Sequence, residues 1–218
     1  MSERAAQDPD ELFEVVTATG ESTGVAKRRA DIHRDGDWHR SIHLWFVGGE
    51  GHDAWIMYQR RGANKDTSPG QLDPTVGGHL ASGETWVEAL REAEEEVGVA
   101  VDPTMIEPAG CRRGVNERDG VLDREIQTIY FVRSDADLES FRPNAAEVAA
   151  VIRIRIADLI PVLTGQEAWC WGDTWTAEGK RQRDRITRDD MAPQVDNYSL
   201  RVCLAARAFL RGEPLFCV

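Results

Sequence analysis

Gly77 to Val99 reads GGHLASGETWVEALREAEEEVGV. A helix is expected over Glu84 to Val97. Thr85 and Glu88 form a Thr-x-x-Glu capping box at its start, and Gly98 supplies the left-handed residue that stops it. At about 100° per residue, Glu92, Glu95 and Glu96 fall on one face, with Glu88 a turn earlier on that face and Glu94 opposite. Like charges this close repel and weaken a bare helix. Divalent cations offset the repulsion, and carboxylate oxygens suit the hard ions Mg²⁺ and Mn²⁺. Most acidic runs are simply solvated faces, but here the neighbours point elsewhere. The Gly77-Gly78 pair lets backbone approach phosphate oxygens closely, and Arg91 is placed to hold a carboxylate through a bidentate pair.

Outward from this stretch, the chain alternates strands and helices without a regular strand–helix repeat, which excludes a Rossmann or barrel pattern. Residues 1–10 read as a disordered tail. Leu12–Thr17 and Gly24–Arg28 flank the turn residues Thr19-Gly20-Glu21-Ser22 and read as a hairpin. Ile42, Leu44 and Phe46 alternate with Ser41, His43 and Trp45, the period of a strand with one face buried. Further strands are expected at Ala54–Arg60, Ile106–Val115, Arg124–Val132 and Val148–Ile156, and helices at Ala157–Leu163 and Asn197–Arg211. Residues 61–83 read as a long loop with a short strand at Thr75-Val76, and loops of that length in a compact domain are often functional. Glu178–Asp190 alternates in charge and reads as an exposed connection.

The 218 residues fit one domain, and 41% apolar content is enough for a core. A net charge of −12 argues against a nucleic-acid polymer as partner. It leaves room for a small anion, since a few placed cations or metal ions reverse the local field. Cys111, Cys170, Cys203 and Cys217 form neither a CxxC pair nor a zinc spacing, so free thiols in a reducing compartment are expected. With a polar N-terminus and no long apolar run, neither a signal peptide nor a membrane span is expected, and the location is read as cytoplasmic.

The central stretch resembles the Nudix hydrolase family, whose box reads G-x5-E-x7-R-E-U-x-E-E-x-G-U, with U a bulky aliphatic residue. Arg91-Glu92-Ala93-Glu94-Glu95-Glu96-Val97-Gly98-Val99 matches its second half, and Gly78 and Glu84 match the first. One departure is clear: six residues rather than seven separate Glu84 from Arg91. The resemblance implies a Nudix fold over residues 11–165, a mixed β-sheet sandwiched between helices with a loop–helix–loop box. Residues 166–218 would form a C-terminal extension whose last helix packs on the same domain. It implies hydrolysis of a small organic or nucleoside diphosphate by metal-activated water, with Mg²⁺ or Mn²⁺ held by Glu92, Glu95, Glu96 and the Gly78 carbonyl. Arg91 would hold the helix carboxylates, and a homodimer is the oligomer that the resemblance admits.

Arg60-Arg61, Lys65-Asp66, Pro69 to Asp73 and Gly77 to His79, with Trp38 to Arg40 upstream, further resemble the branch related to isopentenyl-diphosphate isomerase and to thiamine-diphosphate metabolism. In that branch His33, His39 and His79 resemble metal-binding histidines, and Asp123-Arg124-Glu125 resembles a paired acidic motif. The isomerase needs a cysteine before Gly-His, and Gly77 stands there instead. Without a thiol the carbon chemistry lacks its acid–base partner, so hydrolysis is the favoured reading and isomerisation the alternative; a non-catalytic binding module is the third. Catalytic candidates are Glu95, Glu96, Arg91 and Glu147, the last weighed evenly between a functional role, as general base or extra metal ligand, and an exposed loop carboxylate. Substrate-binding candidates are Arg60, Arg61, Lys65, His79 and Glu125. Trp169, Trp171 and Trp175 are read either as a stacking platform for a ring or, preferably, as packing for the last helix or a dimer contact.

Overall fold

The computed structural model describes residues 8–65, 67–118, 121–193, 196–215 and 218; the side chains of Arg118 and Val121 are also outside it. Most of the expected N-terminal tail, Asp66 and Cys217 therefore lie outside the described residues. In chain order the elements are β1 (Leu12–Val16), β2 (Ser22–Arg28), α1 (Arg29–Asp35), β3 (Trp38–Gly48), β4 (Trp55–Arg61), β5 (Leu72–Pro74), β6 (Val76–His79), α2 (Arg91–Val97), β7 (Ile106–Arg118), β8 (Val121–Arg133), β9 (Val148–Arg155), α3 (Ile156–Leu163), β10 (Cys170–Thr176), β11 (Arg181–Ile186) and α4 (Tyr198–Leu210). This mixed α+β arrangement agrees with the expected fold class. No described helix is long and apolar enough to cross a membrane.

The sheet is built around β3. β8 runs parallel to it over its whole length, from Trp38↔Arg124 to Val47↔Arg133, and β7 is antiparallel to β8. On its other side β3 changes partner. Val47 and Gly48 pair with Ile56 and Trp55 of β4, whereas Ser41 to Leu44 pair with His79 to Val76 of β6. β5 pairs with β4. The two central strands thus splay apart, and the loop expected at 61–83 enters the gap as two short strands. This split brings the Gly77-Gly78 backbone beside α2.

Alternation along β3 was expected to bury one face, but both are buried. Ile42, Leu44 and Phe46 join Ala89, Leu90, Ala93 and Val97 in one core, under α2. Trp45 and Val47 face a second core with Ile156 and Leu159 of α3 and Tyr198, Val202 and Ala206 of α4. Helices covering both faces of the sheet explain the near-continuous apolar run.

Two local expectations are corrected, and one helix was not expected. The box helix begins at Arg91, after a 3-10 turn at Glu88–Leu90, instead of at Glu84. The Thr85–Glu88 bonds still form, with Thr85 N donating to Glu88 Oε2 at 2.8 Å and Glu88 N to Thr85 Oγ1 at 3.3 Å. They turn Glu88 back on the loop, away from the acidic face. Glu178–Asp190 is no bare connection: β10 and β11 form a hairpin that extends the sheet, with Trp171 opposite Arg185. Arg28 to Asp35 holds an unforeseen helix, α1, closed by Gly36 at φ 68°.

Candidate active site

The apolar side of α2 fixes its acidic side. With Ala93 and Val97 in the core, Glu92, Glu95 and Glu96 turn to a cleft beside β6. Glu96 is 2% exposed and accepts hydrogen bonds from Gln59 Nε2 and Gly77 N, both at 3.2 Å. Gly78 lies directly under Glu92: a Cβ there would come within 2.2 Å of Glu92 Cγ. Burial, with repulsion from the neighbouring carboxylates, pushes Glu92 up to about 7 and Glu96 up to about 8. Two buried carboxyls that resist ionising together are a donor set suited to a divalent cation.

Arg91 ties this group together. Its Nε and Nη2 donate to Glu84 at 2.8 and 3.2 Å, and its Nη1 to Glu92 at 2.7 Å and Glu95 at 3.0 Å. Burial opposes the charge, yet Glu84 and Glu92 raise the guanidinium above its ordinary range. Glu84 also accepts from Ala81 N at 2.8 Å. Where the box is one residue short, between Glu84 and Arg91, the chain runs through the 3-10 turn, which rises about 2.0 Å per residue against roughly 1.5 Å in an α-helix, and the Glu84–Arg91 pair forms.

The cationic side is smaller than the sequence suggested. Lys65 Nζ donates to Glu147 Oε2 at 3.0 Å, with both side chains largely buried at the cleft. Arg61 also lines the cleft but is held by Asp73 at 2.9 Å and by Thr67. Arg60 is corrected: adjacent residues on a strand face opposite ways, and its guanidinium bonds Gly70 O at 2.9 Å outside the cleft. The tryptophans do not line the cleft either. Trp175 Nε1 donates to Phe141 O, while Trp169 and Trp171 pack edge to face beneath Arg185 and Arg183.

A second donor set meets on the far side of β6. His33, His39, His79 and Asp123 offer ligand atoms all within 4.8 Å of one another. The His39 Nδ1–H faces Asp37 O at 3.2 Å, leaving Nε2 as a buried acceptor with no hydrogen bond, 3.5 Å from Asp123 Oδ1. Burial lowers His39 and pushes His79 down to about 3. A nitrogen lone pair facing a carboxylate oxygen in a dry pocket fits a cation between them. Glu125, a substrate-binding candidate, is buried at the cleft. Burial opposes its ionisation, but the 2.8 Å bond from His79 Nε2 and the surrounding histidines hold it well below the carboxylate range.

Several cleft residues went unforeseen, Arg112 and His43 among them. Arg112 of β7 bonds Asp196 at 3.1 and 2.8 Å and Gln127 at 2.6 Å, with its guanidinium 4.3 Å from the Tyr198 ring centroid. His43 accepts from Tyr198 OH at 2.8 Å, and Trp45 Nε1 donates to the same oxygen at 3.1 Å. The period of β3 places His39, Ser41 and His43 on one face, and that was the available signal.

The sequence profile of the NUDIX domain matches residues 37–169. The chain is 30% identical over 176 residues to an uncharacterised Nudix hydrolase of Clostridium acetobutylicum, covering 79% of this chain and 85% of that protein. The chain belongs to the Nudix hydrolase family. Among other relatives, this Nudix chain is 28% identical over 152 residues to an isopentenyl-diphosphate Delta-isomerase of Streptomyces avermitilis, covering 68% of this chain and 73% of that enzyme. Its fold matches the crystal structure of DR0079 from Deinococcus radiodurans with a TM-score of 0.55 at 23% identity, over 72% of this chain and 91% of that one. The Nudix box is thus the loop and helix that carry Gly78, Glu84, Arg91, Glu92, Glu95 and Glu96.

Proposed function

We propose that this Nudix protein hydrolyses the diphosphate linkage of a small organic or nucleoside diphosphate with Mg²⁺ or Mn²⁺ as cofactor. The observation that carries the reading is the buried Glu92–Glu96 pair against Gly78, a carboxylate set whose mutual repulsion a divalent cation would relieve. Glu92, Glu95, Glu96 and the Gly78 carbonyl would hold the ion. When bound, it neutralises phosphate oxygens and makes water more acidic. Arg91 keeps the carboxylates aimed. Glu147 would take the proton of the attacking water, with Lys65 orienting its carboxylate and supplying positive charge for the substrate. Arg61 and His79 would shape the rest of the diphosphate site, and Glu125 the part of the cleft that takes the attached group. The net charge of −12 weighs against a nucleic-acid polymer as substrate.

Isomerisation is the second reading, favoured by the cluster of His33, His39, His79 and Asp123 and by the isomerase relative. Against it, no cysteine lines the cleft among the described residues. Cys170 and Cys203 are buried in the core under α4, and Cys111 lies outside the cleft. Phosphorus and proton NMR of products from a diphosphate panel with Mg²⁺ separates the two. Released phosphate species support hydrolysis; dimethylallyl diphosphate formed from isopentenyl diphosphate with no phosphorus released would replace it.

A further inference from the structure

We infer that the group attached to the diphosphate is small and rich in hydroxyls, a sugar or another polyol, and that a polar wall on β7 and β8 reads it. This rests on the proposed diphosphate hydrolysis and adds the substrate class.

The cleft has a volume of about 180 Å³. One wall is the box with its glutamates. The other is a face of the sheet whose character changes along the strands. Trp45 sits opposite Phe131, and there the face is apolar and lies in the core with α4. Tyr198, the first residue of α4, ends that covered stretch by bonding His43 and Trp45. Beyond it the face is polar and borders the cleft, with Ser41, Arg112, Glu125 and Gln127 themselves largely buried. Register sets Ser41 beside Gln127, Gln127 beside Arg112, and Asp123 beside Asn116.

These side chains are held in place. Arg112 Nη1 donates to Gln127 Oε1 at 2.6 Å, Gln127 Nε2 donates to Glu125 Oε2 at 2.5 Å, and Ser41 Oγ donates to the same carboxylate at 3.0 Å. The Gln127 carboxamide lies across Gly114, where a Cβ would approach Nε2 to 2.7 Å. Asn116 lines the cleft and its side chain makes no hydrogen bond to a described residue, so its amide can both donate and accept.

A fixed wall of interleaved donors and acceptors matches hydroxyl groups, each of which gives and takes a hydrogen bond. It does not match a further phosphate. Asp196 balances the Arg112 charge, and Asp123 and Glu125 add negative charge. Nor does it match a nucleobase or a prenyl chain. A base needs a free π face to stack on and a prenyl chain needs apolar surface, and the imidazoles here are engaged, His43 with Tyr198, His79 stacked on Phe13 and His33 against His39 and His79. Among the described lining residues the rings are those of His33, His43 and His79, and the larger apolar groups are Val115 and Pro193.

The test is kcat/KM of the full chain with Mg²⁺ for four compounds: a sugar 1-diphosphate, adenosine diphosphate, dimethylallyl diphosphate and methyl diphosphate. The sugar compound should exceed each of the others by at least roughly tenfold. Asn116→Ala and Gln127→Ala should each reduce the sugar-to-methyl ratio by about threefold to tenfold. A higher value for the adenosine or dimethylallyl compound overturns the inference while leaving hydrolysis standing. So does an equal loss for sugar and methyl substrates in both variants. Failure to hydrolyse any of the four, or a wild-type rate in Glu96→Gln, sinks the hydrolase reading and this inference with it.

Discussion

Glu96 is the residue on which the site turns. A carboxyl whose pKa rises on folding keeps its proton over a range where the unfolded chain has lost it, so folded stability falls as pH climbs through that range. For Glu92 and Glu96 the range runs from the ordinary 4.5 to about 7 and about 8. The histidines act with the opposite sign. Burial lowers His39, His43 and His79 from 6.5, so their contribution is lost as pH falls below that value. Between pH 6.5 and 8.5 the glutamates therefore dominate. Metal-free protein should melt at a lower temperature at pH 8.5 than at pH 6.5, and Mg²⁺ should raise the melting temperature more at the higher pH. Equal Mg²⁺ shifts at both pH values would falsify the carboxylate assignment. Glu96→Gln removes the repulsion together with one of the oxygens proposed to hold the metal. It should cut turnover by at least about a hundredfold while raising the metal-free melting temperature at pH 8.5; a lower melting temperature in calorimetry would show that Glu96 is structural. The glutamate face was legible because helical spacing alone sets it. Arg60 and Arg61 were not distinguishable, since a charged pair at a strand end does not reveal which residue turns inward.

At the scale of elements, the site depends on β6 lying close under α2. Gly78→Ala would drive a methyl group into Glu92 Cγ at 2.2 Å, with the α2 core on the other side leaving little room to retreat. The expected result is about 1–3 kcal/mol of destabilisation in urea unfolding and weaker Mg²⁺ binding by calorimetry. Unchanged Mg²⁺ affinity would mean that Glu92 relaxes without cost to the site. Arg91→Ala tests the same unit from its other end. It leaves Glu84, a tenth exposed, and Glu92 without their cation, and should cost roughly 2–4 kcal/mol by denaturant titration. The capping box, Gly98 and the strand periods were readable because they are local signals. The late start of α2 was not, because Glu84, read as the first helical residue, instead bonds Arg91 across seven positions, a contact that local spacing does not reveal. The β10–β11 hairpin was hidden for a related reason. Its outer face carries arginines and tryptophans in alternation, and their pairing across strands cannot be seen in a charge pattern.

For the molecule as a whole, the two cores are unequal in where their residues come from. The core under α2 is drawn mainly from the first half of the chain and the strands up to β9. The other depends on the last part: Tyr198, Val202, Cys203, Ala205 and Ala206 of α4, with Ile186 and Cys170, complete a cluster that includes Trp45, Tyr58, Phe131 and Ile154. Sequence reading placed the helix, but it could not show that the helix covers the central strands, because α4 meets β3 only in three dimensions. Two consequences follow from that coverage. Tyr198→Phe removes the oxygen shared by His43 and Trp45 and leaves the buried Trp45 Nε1–H without an acceptor; this should cost about 1–3 kcal/mol in denaturant unfolding. A chain ended at Gly165 should fail more completely. It would expose Trp45, Tyr58, Phe131 and Ile154 together and strip β9 of its partner β10. At about 25 cal/mol for each Å² of apolar surface, uncovering one face of the sheet exceeds the ~5–15 kcal/mol by which domains are stable. Circular dichroism and heteronuclear NMR of that fragment should therefore show no cooperative melt and poorly dispersed amides. A sharp melt with dispersed signals would establish residues up to 165 as an independent folding unit, with α4 an attachment to it.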